Sequence, residues 1–283
     1  VNRTIVITGA SDGIGAAAAK QLSHDEQRVV VVGRSPDKTA AVAAELGADS
    51  FVADFAELAQ VRQLAASLLD KYDRIDVLAN NAGGIMGSNE KTVDGFEKTF
   101  QVNHLAPFLL TNLLLDRLIA SRAVVLNTSS GANRGSRADF DDLDSVQKQH
   151  PMVAYPSAKL ANILFTRELH RRYHGAGIST AALHPGTVAT NFSAEAGNPL
   201  FGLVYRTPLR RIFLRTPERG ADVLVWLASA TPGVDWISGQ YYVNRKIGKA
   251  HKQADDVGLA ERLWDRSAAM VGVDPPEARR TKD

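Results

Sequence analysis

Short apolar, β-branched runs recur along this chain, each followed by a longer stretch with helical spacing, and that alternation restricts the fold more than any other feature. The runs are Thr4–Thr8, Val29–Val32, Phe51–Val52, Ile75–Ala79, Val124–Thr128, Ile178–Leu183 and Gln240–Val243. Helical period occupies Ile14–Ser23, Lys38–Leu46, Leu58–Lys71, Leu105–Ile119, Val153–Tyr173 and Ala221–Ala230. Val29–Val32 and Ala123–Leu126 are apolar at every position, as a parallel strand covered by helices on both faces requires. Right-handed crossovers between such strands give an α/β fold, a doubly wound parallel sheet of about seven strands with helices on both faces. Its ligand crevice lies beyond the carboxyl ends of the strands, so chemistry-bearing residues are expected there.

A single domain over 1–283 is expected, because no repeat, low-complexity tract or long Pro/Gly/Ser linker divides the chain. A chain of 283 residues buries roughly three quarters of the surface its unfolded form exposes, so the core needs no covalent staples. There are no cysteines, which removes disulfides, thiolate metal sites and thiol nucleophiles and makes a cytoplasmic location the expectation. No metal is expected. Lys and Arg total 33 against 31 Asp and Glu, without the basic stripe that a nucleic-acid binder concentrates on one face. Val1–Thr8 runs straight into the first strand, an expectation of no secretory leader. Nor does any stretch reach the about 18 consecutive apolar residues of a membrane span; Phe108–Ile119 is interrupted by Thr111, Asn112, Asp116 and Arg117.

Thr8-Gly9-Ala10-Ser11-Asp12-Gly13-Ile14-Gly15 joins the first strand to the first helix. Glycines at 9, 13 and 15 allow a tight turn and close approach to a pyrophosphate, while the helix N-terminus offers N–H groups and a favourable dipole. An ordinary glycine-rich turn is the plainer alternative. Nineteen residues after Gly15, where a carboxylate would hold the ribose hydroxyls of NAD, stands Arg34. A guanidinium pairs with a 2′-phosphate and stacks on adenine, so Arg34 points to NADP(H) over NAD(H), unless it is only a solvated surface arginine.

Further candidates sit at strand ends or helix starts: Asp54-Phe55, Asn80-Asn81-Ala82-Gly83, Ser129-Ser130 and Tyr155-Pro156-Ser157-Ala158-Lys159. Four residues in a helix rise about 6 Å and return to one face, so Tyr155 and Lys159 can share a pocket. A phenol with pKa near about 10 is a poor acid–base at neutral pH, and a neighbouring ammonium would lower it. A plain surface turn of helix is the competing reading. Pro156 belongs in a first turn, which predicts a helix start near Met152–Tyr155.

Taken in order, these motifs resemble the non-extended branch of the short-chain dehydrogenase/reductase family, from Thr4 to about Val243. The resemblance implies a Rossmann-like fold and NAD(P)(H)-dependent interconversion of an alcohol and its ketone or aldehyde. It makes Tyr155 the general acid/base, gives Lys159 the nicotinamide ribose as well, and has Ser130, rather than Ser129, polarise the substrate oxygen. Asn103, in Val102-Asn103-His104, would complete a tetrad through a water held by its backbone; a structural helix bend is the alternative. Gly9, Ser11, Asp12, Gly13, Ile14, Gly15, Arg34, Asp54, Phe55, Asn81, Ala82, Gly83, Tyr155 and Lys159 would contact the dinucleotide. Pro185, Gly186, Val188 and Thr190, in the run after His184, would face the nicotinamide. His184 itself reads as packed rather than catalytic.

The interval from Ser130 to Tyr155 carries about ten more residues than most of the family, similar to retinol dehydrogenases and protochlorophyllide reductases, as are Leu160–Phe165 and Gly239–Tyr242. Segment 191–215 mixes apolar residues with Arg206, Arg210, Arg211 and Arg215 and reads as a substrate lid. It could equally be a solvated basic face or touch an anionic membrane surface. Segment 249–283 is a C-terminal extension that could cover an association surface, and homo-oligomerisation stays open. The expected function is an NADP(H)-dependent oxidoreductase for a small apolar carbonyl or alcohol; the alternative is a dinucleotide-binding sensor or scaffold without turnover. Extended-branch epimerases use Gly-x-x-Gly-x-x-Gly, which Gly9, Gly13 and Gly15 do not match.

Overall fold

Strand β1 (Thr4–Thr8) leads into α1 (Gly13–Leu22), followed by β2 (Arg28–Gly33), α2 (Pro36–Leu46), β3 (Asp49–Val52), α3 (Leu58–Lys71) and β4 (Val77–Asn80). The chain continues through α4 (Lys98–Phe100), a π-helix (Gln101–Leu105), α5 (Ala106–Leu113), α6 (Leu115–Ser121) and β5 (Val124–Thr128). Next come a 3-10 helix (Gly131–Gly135), α7 (Leu143–Val146), α8 (Pro151–Tyr173) and β6 (Ser179–His184). The order closes with α9 (Pro217–Ser229), β7 (Gln240–Val243), β8 (Lys246–Ile247), a 3-10 helix (Lys252–Asp255) and α10 (Val257–Val271). The computed structural model describes residues 3–23, 27–86, 91–140, 142–186 and 216–273, without the side chains of Asp144 and Ser145.

Eight strands form one sheet in the order β3-β2-β1-β4-β5-β6-β7-β8, parallel except for the last pair. Strand residues alternate between two cores. Val6, Val30, Val32, Leu78 and Val125 join α3, α5, α8 and α10 on one face, while Ile5, Ile7, Val29, Val31 and Val77 join α1 and α9 on the other. The continuous apolar runs are thus buried on both faces, each such side chain contributing about 1.5–3 kcal/mol on removal from water. Among the described residues no helix is long and apolar enough to cross a membrane.

The sequence reading gives seven strands, and β8 is the eighth. It pairs with β7 through a hairpin whose turn residues, Asn244 and Arg245, have φ of 50° and 60°. Such a turn announces itself in sequence by a glycine, which is missing here. The expected helix Leu105–Ile119 starts earlier and is divided, with the π-helix at its entrance and a break at Leu114. Helix α8 begins at Pro151, capped by the His150 ring, so Pro156 lies past the first turn and denies a hydrogen bond to the Met152 carbonyl. The strand–helix rhythm also left α10 unread. Its stripe of Leu259, Leu263, Trp264, Ser267 and Val271 is buried, Asp256 caps its start, and Gly272 at φ 61° ends it. Arg172 of α8 stacks 4.8 Å above the Trp264 ring, which docks α10 against α8.

Candidate active site

Strand β1 pairs with β2 on one side and β4 on the other, so the connections diverge and leave a crevice beyond the carboxyl ends of β1 and β4. Thr8 ends β1, and its Oγ1 accepts the N–H groups of Asn81 and Ala82, both at 3.0 Å. Asn81 Nδ2 returns a bond to the Thr8 carbonyl at 3.0 Å. The glycine loop is therefore pinned to the Asn81–Gly83 loop. Gly9 has φ +66°, and a methyl group there would lie 2.7 Å from Ala82 Cα. A methyl on Gly15 would strike the Gly9 carbonyl and approach Asn81 Nδ2 to 2.7 Å.

Asp12 caps α1 through Gly13 N–H at 2.8 Å, while Lys38 of α2 pairs with its other oxygen at 2.9 Å. Ile14 is half-buried against the second core. A methyl on Gly33 would meet Ser11 Cβ at 2.6 Å, so Ser11 lies over the end of β2 and Arg34, exposed, stands beside the loop. Asp54 is half-buried and accepts Ala56 N–H at 2.9 Å, and the Phe55 side chain is part of the core. Gly9, Gly13 and Gly15 leave bare backbone at a helix N-terminus bordered by Arg34, Lys38 and the Asp12 cap, and that backbone fits a dinucleotide with its pyrophosphate on the glycines. Lys38 borders the glycine loop through Asp12 and is not singled out in the sequence; its position four residues after Arg34, on the first turn of α2, is the available signal.

Ser130, Tyr155 and Lys159 converge at the far end of the crevice. Ser130 follows β5, caps the 3-10 helix through Ala132 N–H at 3.2 Å, and hydrogen-bonds the Tyr155 phenol. Its neighbour Ser129 is instead turned inward, donating to the Lys159 carbonyl at 2.7 Å. Lys159 Nζ sits 5.4 Å from the Tyr155 ring centroid and donates to the Thr128 carbonyl at 3.0 Å. Burial lowers the ammonium to about 7. It also raises the phenol, against the Ser130 hydrogen bond, which favours the phenolate. The expected lowering of tyrosine by lysine is not what this geometry does. Desolvation acts on both groups, and Nζ spends a proton on Thr128.

Asn103 occupies the π-helix, a distortion frequent at functional sites. Its Nδ2 donates to the carbonyls of Thr99 and Gly84, both at 2.7 Å, and its Oδ1 accepts Gly84 N–H at 3.1 Å. Asn103 therefore marks a bend and also borders the site. Gly83 lies between, where a methyl would collide with Asn103 Oδ1 and come within 3.2 Å of Lys159 Nζ. His184 Nδ1 accepts Gly131 N–H at 3.2 Å, which packs the imidazole as expected. Pro185 and Gly186 follow β6, with Gly186 at φ 85°. Val188, Thr190, the 191–215 lid and residues 274–283 of the extension lie outside the described residues.

Two residues that sequence reasoning did not single out as site residues border this cluster. Asn162, one turn beyond Lys159, donates to the Thr128 carbonyl at 3.1 Å. Tyr241, the second residue of β7, lies close enough to raise the Tyr155 phenol further, and its hydroxyl meets Asn133 Nδ2 at 3.4 Å. For Asn162 the i+3 spacing from Lys159 was the readable signal; Tyr241 had none, since pairing of β6 with β7 brings it in. Among the described residues no three His, Asp or Glu side chains gather as a metal site.

The family model described as short chain dehydrogenase matches residues 3–199. A Streptomyces sp. (strain C5) protein named for daunorubicin C-13 ketoreduction is 44% identical over 278 residues, covering 95% of this chain and 93% of that protein. Retinol dehydrogenase 13 of Homo sapiens is 36% identical over 288 residues, covering 98% of this chain and 87% of that protein. A solved structure from Mycobacterium paratuberculosis superposes with a TM-score of 0.76 at 32% identity, covering 97% of this chain and 95% of that one.

Proposed function

The chain belongs to the short chain dehydrogenase family, whose chemistry is alcohol–carbonyl oxidoreduction with a nicotinamide dinucleotide, and from that premise we propose an NADP(H)-dependent carbonyl reductase with Tyr155 as general acid. The observation that carries this reading is the buried Tyr155 phenol, bonded to Ser130 and faced by Lys159 at 5.4 Å. Reduction of a carbonyl needs a proton at the nascent alkoxide. A phenol raised by burial is protonated throughout the neutral range and so carries the proton that an alkoxide, a far stronger base, would take; reduction is the direction this reading adopts because Arg34 favours NADPH, whose pool is kept reduced.

A nicotinamide dinucleotide held here would supply the hydride. Gly9, Gly13 and Gly15 would take the pyrophosphate at the start of α1, Arg34 and Lys38 the 2′-phosphate, and Asp54 and Asn81–Gly83 the adenosine side. Pro185, Gly186, Val188 and Thr190 would line the nicotinamide. Ser130 donates toward the carbonyl oxygen as charge develops on it, and Tyr155 hands over its proton beside it. Lys159 holds the ribose and keeps positive potential near the phenol once its proton leaves. Asn103, through its backbone, connects this end to a proton path.

An apolar ketone, aldehyde or alcohol is the substrate class, in keeping with relatives named for a ketoreductase and a retinol dehydrogenase. Segment 191–215 would close over it. The cytoplasm, with its reduced NADPH pool, is the location this reading takes. NADPH oxidation across a panel of apolar carbonyls tests the assignment. Tyr155→Phe should lower kcat about 10²–10⁴-fold with NADPH affinity retained. Turnover surviving in that variant would remove Tyr155 as proton donor, and a wild-type protein that binds NADPH and reduces nothing would favour a sensor.

A further inference from the structure

We propose that α10 belongs to the catalytic apparatus: Ser267, acting through His104 and Asn162, is a positioning residue for the Lys159 end of the site. This inference rests on the reading of Tyr155 and Lys159 as the working pair.

The hydrogen bonds have one allowed direction. Asn162 Nδ2 donates to the carbonyls of Asn103 at 3.0 Å and Thr128 at 3.1 Å, so both amide protons are used. Its Oδ1 meets His104 Nδ1 at 3.3 Å, and because an amide oxygen only accepts, Nδ1 carries the imidazole proton. Burial holds His104 down to about 4, so the ring is neutral and Nε2 presents a lone pair. Ser267 Oγ, 3.0 Å away on α10, supplies the proton to it. The sequence is therefore Ser267 to His104 to Asn162 to the carbonyls of Asn103 and Thr128.

At the receiving end, the Thr128 oxygen accepts both Asn162 and Lys159 Nζ, which occupies its two lone pairs and sets where the ammonium rests. Ser267, His104, Asn162 and Lys159 are each at most 3% exposed, so water does not replace a lost partner cheaply. The His104 ring is flanked by Phe100, Phe108 and Phe165 at centroid distances of 5.1, 6.1 and 6.2 Å. Swinging to another partner would disturb all three. Ser267 also lies beyond residues 3–199, the part matched by the family model, so this control comes from the chain's own C-terminal helix.

Without the Ser267 hydroxyl, Nε2 is left buried and unpaired, the His104 ring loses its anchor on α10, and the Asn162 amide it supports is no longer held firmly on the Thr128 carbonyl. Thr128 then loses a donor and offers more negative potential to Lys159, which favours the ammonium. Facing Lys159 are Tyr155 on its own helix, the Thr128 carbonyl of β5 and Asn103 of the π-helix across Gly83; burial is the cause of its present shift.

The test uses the full chain with Ser267→Ala and Ser267→Thr, assayed as NADPH-dependent carbonyl reduction over a pH series and normalised to folded protein. Ser267→Ala should lower kcat about 5- to 20-fold, leave KM for the carbonyl unchanged and move the basic limb of kcat up by about half a pH unit. Ser267→Thr should restore both. A limb that stays in place in Ser267→Ala, or a threonine variant that rescues nothing, overturns the proposal. The wild-type protein gives a second reading that needs no variant: 15N shifts of His104 should report the Nδ1–H tautomer, and an Nε2–H tautomer also overturns it. Tyr155→Phe separates the two claims. If that variant keeps turnover, the reading of the site fails; if it is silent while Ser267→Ala matches wild type, only the role of α10 fails.

Discussion

Gly9→Ala probes the pressing of the glycine loop against Asn81–Gly83. Two costs add at this position. Its φ of +66° is left-handed, where an L side chain pays about 1–2 kcal/mol. The new methyl would also lie 2.7 Å from Ala82 Cα and 3.2 Å from Asn81 Nδ2. Ordinary contact starts at 3.4 Å, so the loops must part by 3.4 − 2.7 = 0.7 Å. Both atoms belong to a segment held by Thr8 Oγ1, which accepts the N–H groups of Asn81 and Ala82. Overpacking of this kind costs about 1–3 kcal/mol, for a total of about 2–5 kcal/mol. Gly47→Ala is the control, since Gly47 has φ +60° with nothing within 4 Å and therefore carries only the backbone cost. Urea denaturation of both variants isolates the collision as their difference, and titration with NADPH should show affinity falling about tenfold or more in Gly9→Ala alone, equivalent to about 1.4 kcal/mol. Equal destabilisation of the two variants, with NADPH binding intact in both, would refute the idea that the cradle is built by close approach of these two loops.

Arg34→Asp replaces a cation beside Ser11 and Gly33 with a carboxylate that repels a 2′-phosphate, so the ratio of kcat/KM for NADPH over NADH should fall at least about tenfold. An unchanged ratio would take the specificity role from Arg34. Acid should destabilise the protein through His104. Its native pKa, about 4, lies below the unfolded value of 6.5, so between those pH values the unfolded chain binds a proton that the native ring refuses. The stability present above pH 6.5 is lost as pH falls toward 4, by about 2–4 kcal/mol, and His104→Asn should flatten that slope in denaturation curves measured across the window. His170, lowered by burial and by His174, acts in the same direction and remains in the variant. An equally steep slope in His104→Asn would show that the buried imidazole is not the acid-sensitive group.

Much of the site is legible in local sequence because its parts depend on near neighbours in the chain. A glycine loop between strand and helix, Arg34 at the end of the next strand, and Tyr155 and Lys159 four residues apart all follow from the periodicities of strand and helix. Ser130 was separable from Ser129 only as a matter of resemblance; the structure supplies the physical reason, since one hydroxyl turns to Tyr155 and the other to the Lys159 carbonyl. Phe55 shows the opposite limit. Its place in a site motif gave no sign that its ring belongs to the core.

The order of apolar runs by itself determined a parallel sheet buried on both faces and put the chemistry at one edge of it, because side-chain direction along a strand or helix is set by local geometry. Only tertiary structure decided the ionisation of that chemistry. Burial raised the phenol and lowered the ammonium together, and desolvation depends on everything packed around a group rather than on what stands four residues away. The same holds for the bond between His104 and Ser267, separated by 163 residues, whose direction was settled by α10 docking against α8 and by the protons already used at Asn162.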